Sequence, residues 1–532
     1  MNYKYLYRAF GFLAFITIFI TLAMTVQPSV PFWDCGEFSA AAIWQQVPHP
    51  PGAPLFLMMG KIFHLLIPFG DPGWRINMLS VTAGALSVLL LYLIAVKVIQ
   101  NFRKEKIETL AEALTIFGAA FVGAVAFGFS DTFWFNAVES EVYASSTLFV
   151  AIIVYLMMRW NEEADNPGHE RYLLLIAYLI GLSTGVHLLS ILTVFSIVML
   201  VYFRKYKVEF KSFIIMGIIA LVIFFIIDPG MISWIPSMLG GDLPIKNDCQ
   251  EYLIQDSPVI VIMLVLFVIA LIALWFYSYK KKQQILSLIT LSLLLMLFGY
   301  GTYVTTMLRS NANSPMNENE PKNFNKLASY LGREQYGEAP NWPRRYQTED
   351  YFIAKYEQKD DKGNYVYGPW IAPEKEEVQC SDPNKSIAVP KFKNTNTGAE
   401  LTYMFKYQIY EMYIRYFLWN FSGRLSDIQD AGVAAFDGKK EAAAINHKSG
   451  YEHLFPIRFF ALPLLLGLFG MFFHFYKDPK VALVYFIMFL LMGVLAAIAQ
   501  NQQNPQPRER DYFYVGSFMV WCLWIGMGAL GL

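Results

Sequence analysis

Residues 31–56, PFWDCGEFSAAAIWQQVPHPPGAPLF, follow directly on the first long apolar run of the chain and decide how the rest is interpreted. Asp34 and Glu37 stand three positions apart, so a helix would carry both carboxylates on one face. The prolines of VPHPPGAPLF then interrupt that helix, because proline lacks a backbone donor and restricts the residue before it. We therefore expect two amphipathic helices, separated by a rigid break, at a membrane surface.

The composition is that of an integral membrane protein. The chain has 532 residues, of which 55% are hydrophobic and 16% charged, against about 25% charged in soluble domains. Its 42 basic and 42 acidic residues cancel, which gives no bulk electrostatic argument for a nucleic acid partner. Residues 9–26 lack a small-residue cleavage site and exceed the apolar length of a signal peptide, so we expect a retained first span.

The apolar pattern predicts an all-α polytopic membrane protein with about twelve transmembrane helices. The stretches of spanning length are 9–26, 76–99, 113–130, 141–158, 172–203, 212–227, 257–278, 284–307, 456–475, 480–500 and 513–532. Because basic residues flank both ends of 172–203, the positive-inside rule predicts that this stretch crosses twice, turning at GLSTGVHLLS near His187. All promising polar residues then lie on the outer face.

Three regions follow from this topology. Residues 1–307 form an N-terminal transmembrane module with a first outer loop at 27–75, and residues 456–532 form C-terminal transmembrane helices. The last span ends without a basic anchor, so we expect the natural chain to continue. Residues 308–455 are polar and long enough for a mixed extracytoplasmic insertion. Within it, LTYMFKYQIYEMYIRYFLWN (401–420) has helical spacing and is expected on the bilayer surface or on the outer helix ends.

The placement of the cysteines and the lack of several known motifs weigh against metal, nucleotide and protease sites. Cys35, Cys249 and Cys380 are predicted outside and Cys522 within a span, so at most one disulfide is expected, with its pairing left open. No metal site and no certain cofactor are predicted, although a divalent cation near Asp34 stays open. A Gly-rich phosphate loop, a GxSxG elbow and HExxH are missing from the sequence, which weighs against a nucleotide-driven pump or a zinc protease.

The acidic residues of the outer face have a structural and a chemical interpretation. Asp34 and Glu37 fit a capping box as well as a catalytic pair. A helix dipole alone would favour Glu139 and Glu141 at the start of a span, and a lone histidine is more often structural than functional. The candidates for substrate binding are His49, Glu139, Glu141 and His187.

Three arginines lie at outer membrane boundaries, where the positive-inside bias disfavours them. Arg309, Arg508 and Arg510 are therefore candidates for binding a lipid phosphate, which a guanidinium fork suits better than an ammonium. The alternative is that they are anchors beside aromatic residues, or are neutralised by Glu509 and Asp511.

The stretches DCGEFSAAAIWQQVPHPPGAPLF, AVESEVYA and QPRERDYFYVGSF resemble a polytopic membrane family, formerly catalogued as a domain of unknown function, that is associated with protein O-mannosyltransferases. The resemblance extends over nearly the whole chain, including YLGREQYG and RYFLWNFSGR. It implies a GT-C glycosyltransferase fold, in which an acidic residue of the first outer loop is the catalytic base. Asp34 then takes that role with Glu37 as its neighbour. The family's adjacent Asp-Glu pair is here Asp-Cys-Gly-Glu, which leaves the division of roles open.

The resemblance also implies a polyprenyl-phosphate mannose donor and, as acceptor, Ser or Thr hydroxyls of exported polypeptides. A bacterial inner membrane is the expected location, with the active site facing the periplasm. One carboxylate on the acceptor side and cations on the donor side predict a single displacement with inversion. The alternatives are a lipid-linked oligosaccharide ligase with a glycan or lipid acceptor, a lipid flippase or transporter, and a membrane scaffold. Apolar mid-span segments and the lack of an apparent inverted repeat argue against a transporter.

Overall fold

The computed structural model describes residues 3–249, 251–336, 375–381, 385–390, 397–436, 454–502 and 506–532. In chain order the α-helices are α1 (Lys4–Thr25), α2 (Asp34–Trp44), α3 (Pro54–Leu66), α4 (Pro72–Arg103), α5 (Leu110–Gly128), α6 (Asp131–Ala137), α7 (Val142–Glu163), α8 (Glu170–Ser183), α9 (Thr193–Lys205), α10 (Phe210–Phe225), α11 (Ile235–Leu239), α12 (Pro258–Lys280), α13 (Gln284–Tyr300), α14 (Val304–Asn311), α15 (Phe324–Leu331), α16 (Thr397–Thr402), α17 (Arg415–Phe421), α18 (Leu462–Lys477), α19 (Pro479–Leu491), α20 (Val494–Gln500) and α21 (Val515–Gly531).

Short 3-10 and π segments join several of these helices. The 3-10 segments are Leu188–Leu192, Gly301–Tyr303, Glu334–Tyr336 and Asp511–Tyr514, and the π segments are Ile226–Trp234 and Tyr403–Ile414. Four short strands form two antiparallel pairs, β1 (Lys375–Gln379) with β2 (Ser386–Pro390) and β3 (Gly423–Arg424) with β4 (Ile457–Arg458).

The protein is an all-α polytopic membrane protein, as the apolar pattern predicts. Among the described residues, ten helices are long and apolar enough to cross a membrane. They correspond to ten of the predicted spans, and the two others coincide with the shorter helices α8, of 14 residues, and α18, of 16 residues. A helix break lies within 172–203, at the predicted turn, because α8 ends at Ser183 and the chain turns before the 3-10 segment that leads into α9.

Close backbone approach holds the spans together, because side chains in lipid gain little from the hydrophobic effect alone. A Cβ on Gly470 of α18 would lie 1.8 Å from the carbonyl oxygen of Trp524 in α21. A Cβ on Gly181 of α8 would lie 2.0 Å from the carbonyl oxygen of Met296 in α13. Larger residues at either glycine would separate these helix pairs.

The longest helix, α4, crosses the middle of the bundle and packs against α1, α5 and α7. At about 1.5 Å per residue, its 32 residues measure roughly 48 Å, more than a bilayer core requires. Asp71 caps its start, where the side-chain oxygen accepts from the N–H of Gly73 at 2.7 Å. The first outer loop therefore leads into a fixed helix end.

Part of the predicted extracytoplasmic region, 308–455, lies outside the described residues. The segment 401–420 is helical and packs against the start of α21, where Tyr413 shares a hydrogen bond of 2.7 Å with Ser517. A disulfide joins Cys249 to Cys380 and links the loop before α12 to the end of β1. Cys35 and Cys522 are buried free thiols.

Candidate functional site

Asp34 is the first residue of α2 and not a cap for it. The capping position is occupied by Trp33, whose φ of 68° is left-handed, and no side chain caps the helix there. The capping-box interpretation of Asp34 and Glu37 is therefore wrong, because both carboxylates bind other partners. The helix dipole still favours an anion at this position.

Arg508 joins Asp34 to a second carboxylate, that of Glu141. Its Nη2 donates to Oδ2 of Asp34 at 2.9 Å, and both terminal nitrogens donate to Oε1 of Glu141 at 3.3 Å. The side chains of Arg508 and Glu141 are 14% and 2% exposed, whereas that of Asp34 is 40% exposed. Trp33 and Tyr512 flank the guanidinium at 5.6 and 5.2 Å. One cation thus holds two carboxylates while leaving Asp34 accessible.

A buried acidic pair lies behind Asp34. Burial raises the pKa of Glu141 to about 7, an effect that the charge of Arg508 reduces. Burial and the neighbouring Glu141 raise the pKa of Glu139 to about 8. Burial, followed by the two glutamates, also raises the pKa of the Cys35 thiol. At neutral pH this cluster therefore retains at least one proton.

Glu37 binds His49 with both of its carboxylate oxygens. The backbone N–H of His49 donates to Oε1 at 2.6 Å, and its Nδ1 lies 2.5 Å from Oε2. Burial raises the pKa of Glu37, but its hydrogen bonds from His49 outweigh that effect and the net pKa is lowered. Burial lowers the pKa of His49, but its contact with Glu37 outweighs that effect and the net pKa is raised. This pair fastens the proline-rich break onto α2.

Of the three arginines predicted to bind phosphate, Arg309 lies at the far end of α2 from Asp34. Its Nε donates to the carbonyl of Gln45, and its Nη2 donates to that of Trp44 at 3.3 Å. These carbonyls belong to the last turn of α2, whose end leaves backbone acceptors without helical partners. Arg309 therefore supplies donors to the C-terminal end of α2. Because α2 has 11 residues, at about 1.5 Å each, this end lies about 16 Å from Asp34.

Arg510 faces a different partner from Arg508. Its Nη1 donates to the hydroxyl of Tyr512 at 2.5 Å, and its Nε donates to Oε1 of Gln506 at 3.0 Å. Both partners are neutral, so no carboxylate among the described residues offsets the charge of this guanidinium. The cation that meets Asp34 is Arg508.

Glu509, between these arginines, anchors the motif to α17. Arg415 donates to its two oxygens at 3.2 and 3.0 Å, and the hydroxyl of Tyr416 donates to Oε2 at 2.6 Å. Arg415 is only 3% exposed and lies over the rings of Tyr416 and Trp419 at 4.5 and 4.7 Å. The sequence analysis missed Arg415, although an arginine inside an aromatic helical segment is the signal that could have identified it.

His187 lies at the turn of the α8–α9 hairpin, within the same group of contacts. Its ring packs against Tyr143 at 5.4 Å and Phe513 at 6.0 Å, and Tyr143 stacks on Tyr512 at 4.0 Å. Since Tyr512 also flanks Arg508, a run of aromatic rings connects His187 with the Asp34–Arg508 pair.

In the part of the chain that the structure describes, two groups of side chains have spacing compatible with a metal ion. The ligand atoms of Asp34, Glu37 and His49 lie within 4.8 Å of one another, as do those of Cys35, Glu139 and Glu141. In the first group, however, Glu37 has both oxygens bonded to His49, and Asp34 is bonded to Arg508. Hydrogen bonds and an ion pair therefore already satisfy the first group.

The N-terminal part of the chain is similar to known proteins. Residues 34–210 match the family model described as the protein O-mannosyl-transferase TMEM260 N-terminal domain. The protein O-mannosyl-transferase tmem260 of Dictyostelium discoideum is 30% identical over 162 residues, which are 30% of this chain and 18% of the relative. TMEM260 of Mus musculus is 26% identical over 193 residues, 36% of this chain and 25% of the relative.

The matches thus span about a fifth and a quarter of the two relatives' lengths. No solved structure matches the chain significantly. The matched family segment begins at Asp34 and includes Glu37, His49, Glu139, Glu141 and His187. Residues 34–210 are thus similar to the N-terminal domain of proteins named as O-mannosyl-transferases.

Proposed function

We propose that this chain is a membrane glycosyltransferase of the GT-C type. It moves a mannosyl residue from a polyprenyl-phosphate donor to Ser or Thr hydroxyls of exported proteins. The observation that carries the proposal is the Asp34 carboxylate, which Arg508 holds at the start of α2 while 40% of the side chain stays exposed. The relatives are named as protein O-mannosyl-transferases, which supports a protein acceptor and a mannosyl group over the glycan or lipid acceptor of a ligase.

Asp34 acts as the general base in this proposal. Oδ2 is bonded to Arg508, and no hydrogen bond from a described residue reaches Oδ1, which is left to accept from the substrate hydroxyl. As the hydroxyl oxygen forms its bond to the anomeric carbon, its proton passes to Asp34. The bond between that carbon and the phosphate oxygen breaks, and its electrons leave with the lipid phosphate. A positioned base of this kind contributes a rate factor of about 10² to 10⁴.

The other carboxylates of the cluster support a single displacement with inversion. Glu37 is engaged with His49 at both oxygens, Glu141 is bonded to Arg508, and Glu139 is buried with a raised pKa. A double displacement would need a second free carboxylate as nucleophile. Within the described part of this cluster, Asp34 alone combines exposure with an unbonded oxygen.

The donor phosphate requires a cation that is not already neutralised. Arg508 shares its charge with Asp34 and Glu141, so we assign it to positioning the base. Arg510 has only neutral side-chain partners and is the better of the predicted phosphate ligands. Arg309 binds backbone carbonyls at the end of α2 and receives no role in donor binding.

The protein is an integral membrane protein. We further propose a bacterial inner membrane with the site facing the periplasm. The disulfide between Cys249 and Cys380 supports an outer location for their loops, because disulfides persist in oxidising compartments. The two relatives come from eukaryotes, in which the corresponding face would be the lumen of an exporting compartment.

The direct test is mannosyl transfer by purified protein in lipid nanodiscs, with polyprenyl-phosphate mannose and Ser/Thr peptides, followed by mass spectrometry of the peptides. Asp34→Asn should lower the rate at least about 100-fold. The matched control is Asp165→Asn, at an exposed aspartate between α7 and α8. Undiminished transfer by Asp34→Asn would overturn the proposal, and NMR of the product gives the anomeric configuration.

A further inference from the structure

Three segments far apart in sequence meet beside the proline-rich break. The N–H of Leu55, at the start of α3, donates to the carbonyl of Gly185 in the α8–α9 turn at 2.8 Å. The hydroxyl of Tyr330, from α15, donates to the carbonyls of Pro48 and His49. The hairpin turn and the end of α15 are thus fixed to the same short segment of the first outer loop.

The hydrogen bonding of His187 determines which ring nitrogen can donate. Nδ1 accepts from the backbone N–H of Leu189 at 3.2 Å, so it carries no proton in the neutral ring. Burial and then the charge of Arg333 lower the pKa of His187 to about 4, which keeps the ring neutral at physiological pH. The neutral tautomer therefore has its proton on Nε2, and the partly exposed ring offers one N–H donor to a ligand.

Arg333 presents a cation to the same place. It follows α15 with a left-handed φ of 56°, and its backbone N–H donates to the carbonyl of Tyr330 at 3.1 Å. The exposed guanidinium lies 5.1 Å from the ring of Tyr336 and forms no ion pair with any carboxylate in the described part of the chain. Its backbone bond to Tyr330 holds it beside the loop segment that the Tyr330 hydroxyl contacts, and its charge acts to lower the pKa of both His49 and His187.

We propose that Arg333 and His187 bind the phosphate of a prenyl-phosphate lipid. This rests on the proposed function and deepens it by naming a second part of the donor site. A guanidinium and an imidazole N–H provide the charge-assisted and neutral donors that phosphate oxygens accept. The stacked rings of Tyr143 and Tyr512 connect His187 with Arg508, so one run of aromatic contacts links the proposed phosphate ligands with the cation that holds Asp34.

Arg333 and Arg508, the arginine that contacts Asp34, differ in their carboxylate partners. Arg508 is bound to two carboxylates, so a phosphate would have to displace them or add a third anion beside them. A phosphate at Arg333 meets a charge with no described carboxylate partner. Arg333 is therefore a better electrostatic match than Arg508 for an anionic phosphate headgroup.

The test measures binding rather than turnover. Geranylgeranyl phosphate, geranylgeraniol and inorganic phosphate are titrated into the purified full-length protein in nanodiscs, with intrinsic fluorescence or calorimetry as the readout. Arg333→Ala should weaken binding of the prenyl phosphate at least about tenfold, with Arg333→Lys intermediate, while binding of the neutral alcohol stays unchanged. The matched control is Lys326→Ala, at an exposed cation of α15 that lies 3.8 Å from Glu320.

His187→Asn separates ligand binding from structure, because the asparagine amide oxygen can still accept from Leu189 while the Nε2–H is lost. We expect weaker prenyl-phosphate binding with an unchanged melting temperature. Wild-type affinity in both Arg333→Ala and His187→Asn would overturn the inference. So would inorganic phosphate binding as tightly as the prenyl phosphate. A wild-type protein that binds the prenyl phosphate through Arg333 but transfers no mannose would refute the proposed function alone.

Discussion

The guanidinium of Arg508 and the carboxylate of Asp34 are 474 positions apart in the chain and 2.9 Å apart in the structure. The first outer loop and the segment before the last span are therefore two halves of one site. Glu141 completes the contact from a third segment, at the start of α7. A change that loosens the packing between the N-terminal and C-terminal spans should therefore separate Asp34 from Arg508.

Replacing Arg508 should impair both transfer and stability. Arg508→Gln leaves the buried Glu141 without its cation, and removing one partner of a buried ion pair typically costs about 3 to 5 kcal/mol. Arg508→Lys should retain part of the activity, because an ammonium keeps the charge but loses the fork that reaches two carboxylates. Peptide mass spectrometry and thermal melting measure the two effects. Wild-type values for Arg508→Gln, alongside the exposed control Arg171→Gln, would contradict this prediction.

The Glu37–His49 pair should stabilise the protein within a defined pH window. The pKa of His49 is raised from 6.5, so its contribution is complete below pH 6.5 and is lost as pH rises through the raised value. The pKa of Glu37 is lowered from 4.5, so its contribution is present above pH 4.5 and is lost as pH falls through the lowered value. The melting-temperature difference between wild type and Glu37→Gln should therefore be largest between pH 4.5 and 6.5.

That difference should narrow as the pH rises through the raised pKa of His49, because the imidazole then loses its charge. The exposed Glu320→Gln serves as the control, because its ion-pair partners are surface lysines. A difference for Glu37→Gln that grows toward pH 9 would be incompatible with the pairing.

Arg415 and Glu509 should show strong coupling in a double-mutant cycle. Arg415→Met leaves Glu509, whose side chain is 19% exposed, without the two donors at 3.2 and 3.0 Å. We expect a loss of about 3 to 5 kcal/mol. Arg415→Met/Glu509→Gln should recover part of it, because the largely buried charge of Glu509 is then removed, while the other carboxylates beside Arg415, Glu411 and Asp430, are more exposed. Equal melting temperatures for the single and double variants would rule out this account.

Substitution and labelling of the disulfide cysteines test both the stability of the protein and the side of the membrane on which their loops lie. Cys249 and Cys380 enclose 131 positions, and the chain-entropy model assigns such a loop about 4 to 5 kcal/mol. Cys249→Ser/Cys380→Ser should therefore melt at a lower temperature than wild type. In right-side-out vesicles, an impermeant maleimide should label Cys249 and Cys380 only after reduction. Cys522, which is buried, should stay unlabelled and serves as the internal control. Labelling only in inverted vesicles would place these loops on the cytosolic face.

Local sequence patterns predicted those elements of the fold that short-range interactions along the chain produce. The spacing of Asp34 and Glu37 predicted α2, the prolines of 47–56 predicted the break before α3, and the basic flanks of 172–203 predicted a hairpin. The partners of these residues were not predictable in the same way. Glu37 binds His49 instead of capping its own helix, and the conformation of the break decides that outcome.

The sequence by itself determined that this is a polytopic helical membrane protein, because the length and apolar character of each span are set within short windows of the chain. Only the tertiary structure decided that Arg508 meets Asp34, that Arg510 turns to Tyr512, and that Arg309 closes the end of α2. Three arginines of the same charge and predicted membrane depth were indistinguishable in the sequence. The fold gave each a different partner, because a hydrogen bond requires groups that are neighbours in space, which the charge pattern of the sequence does not specify.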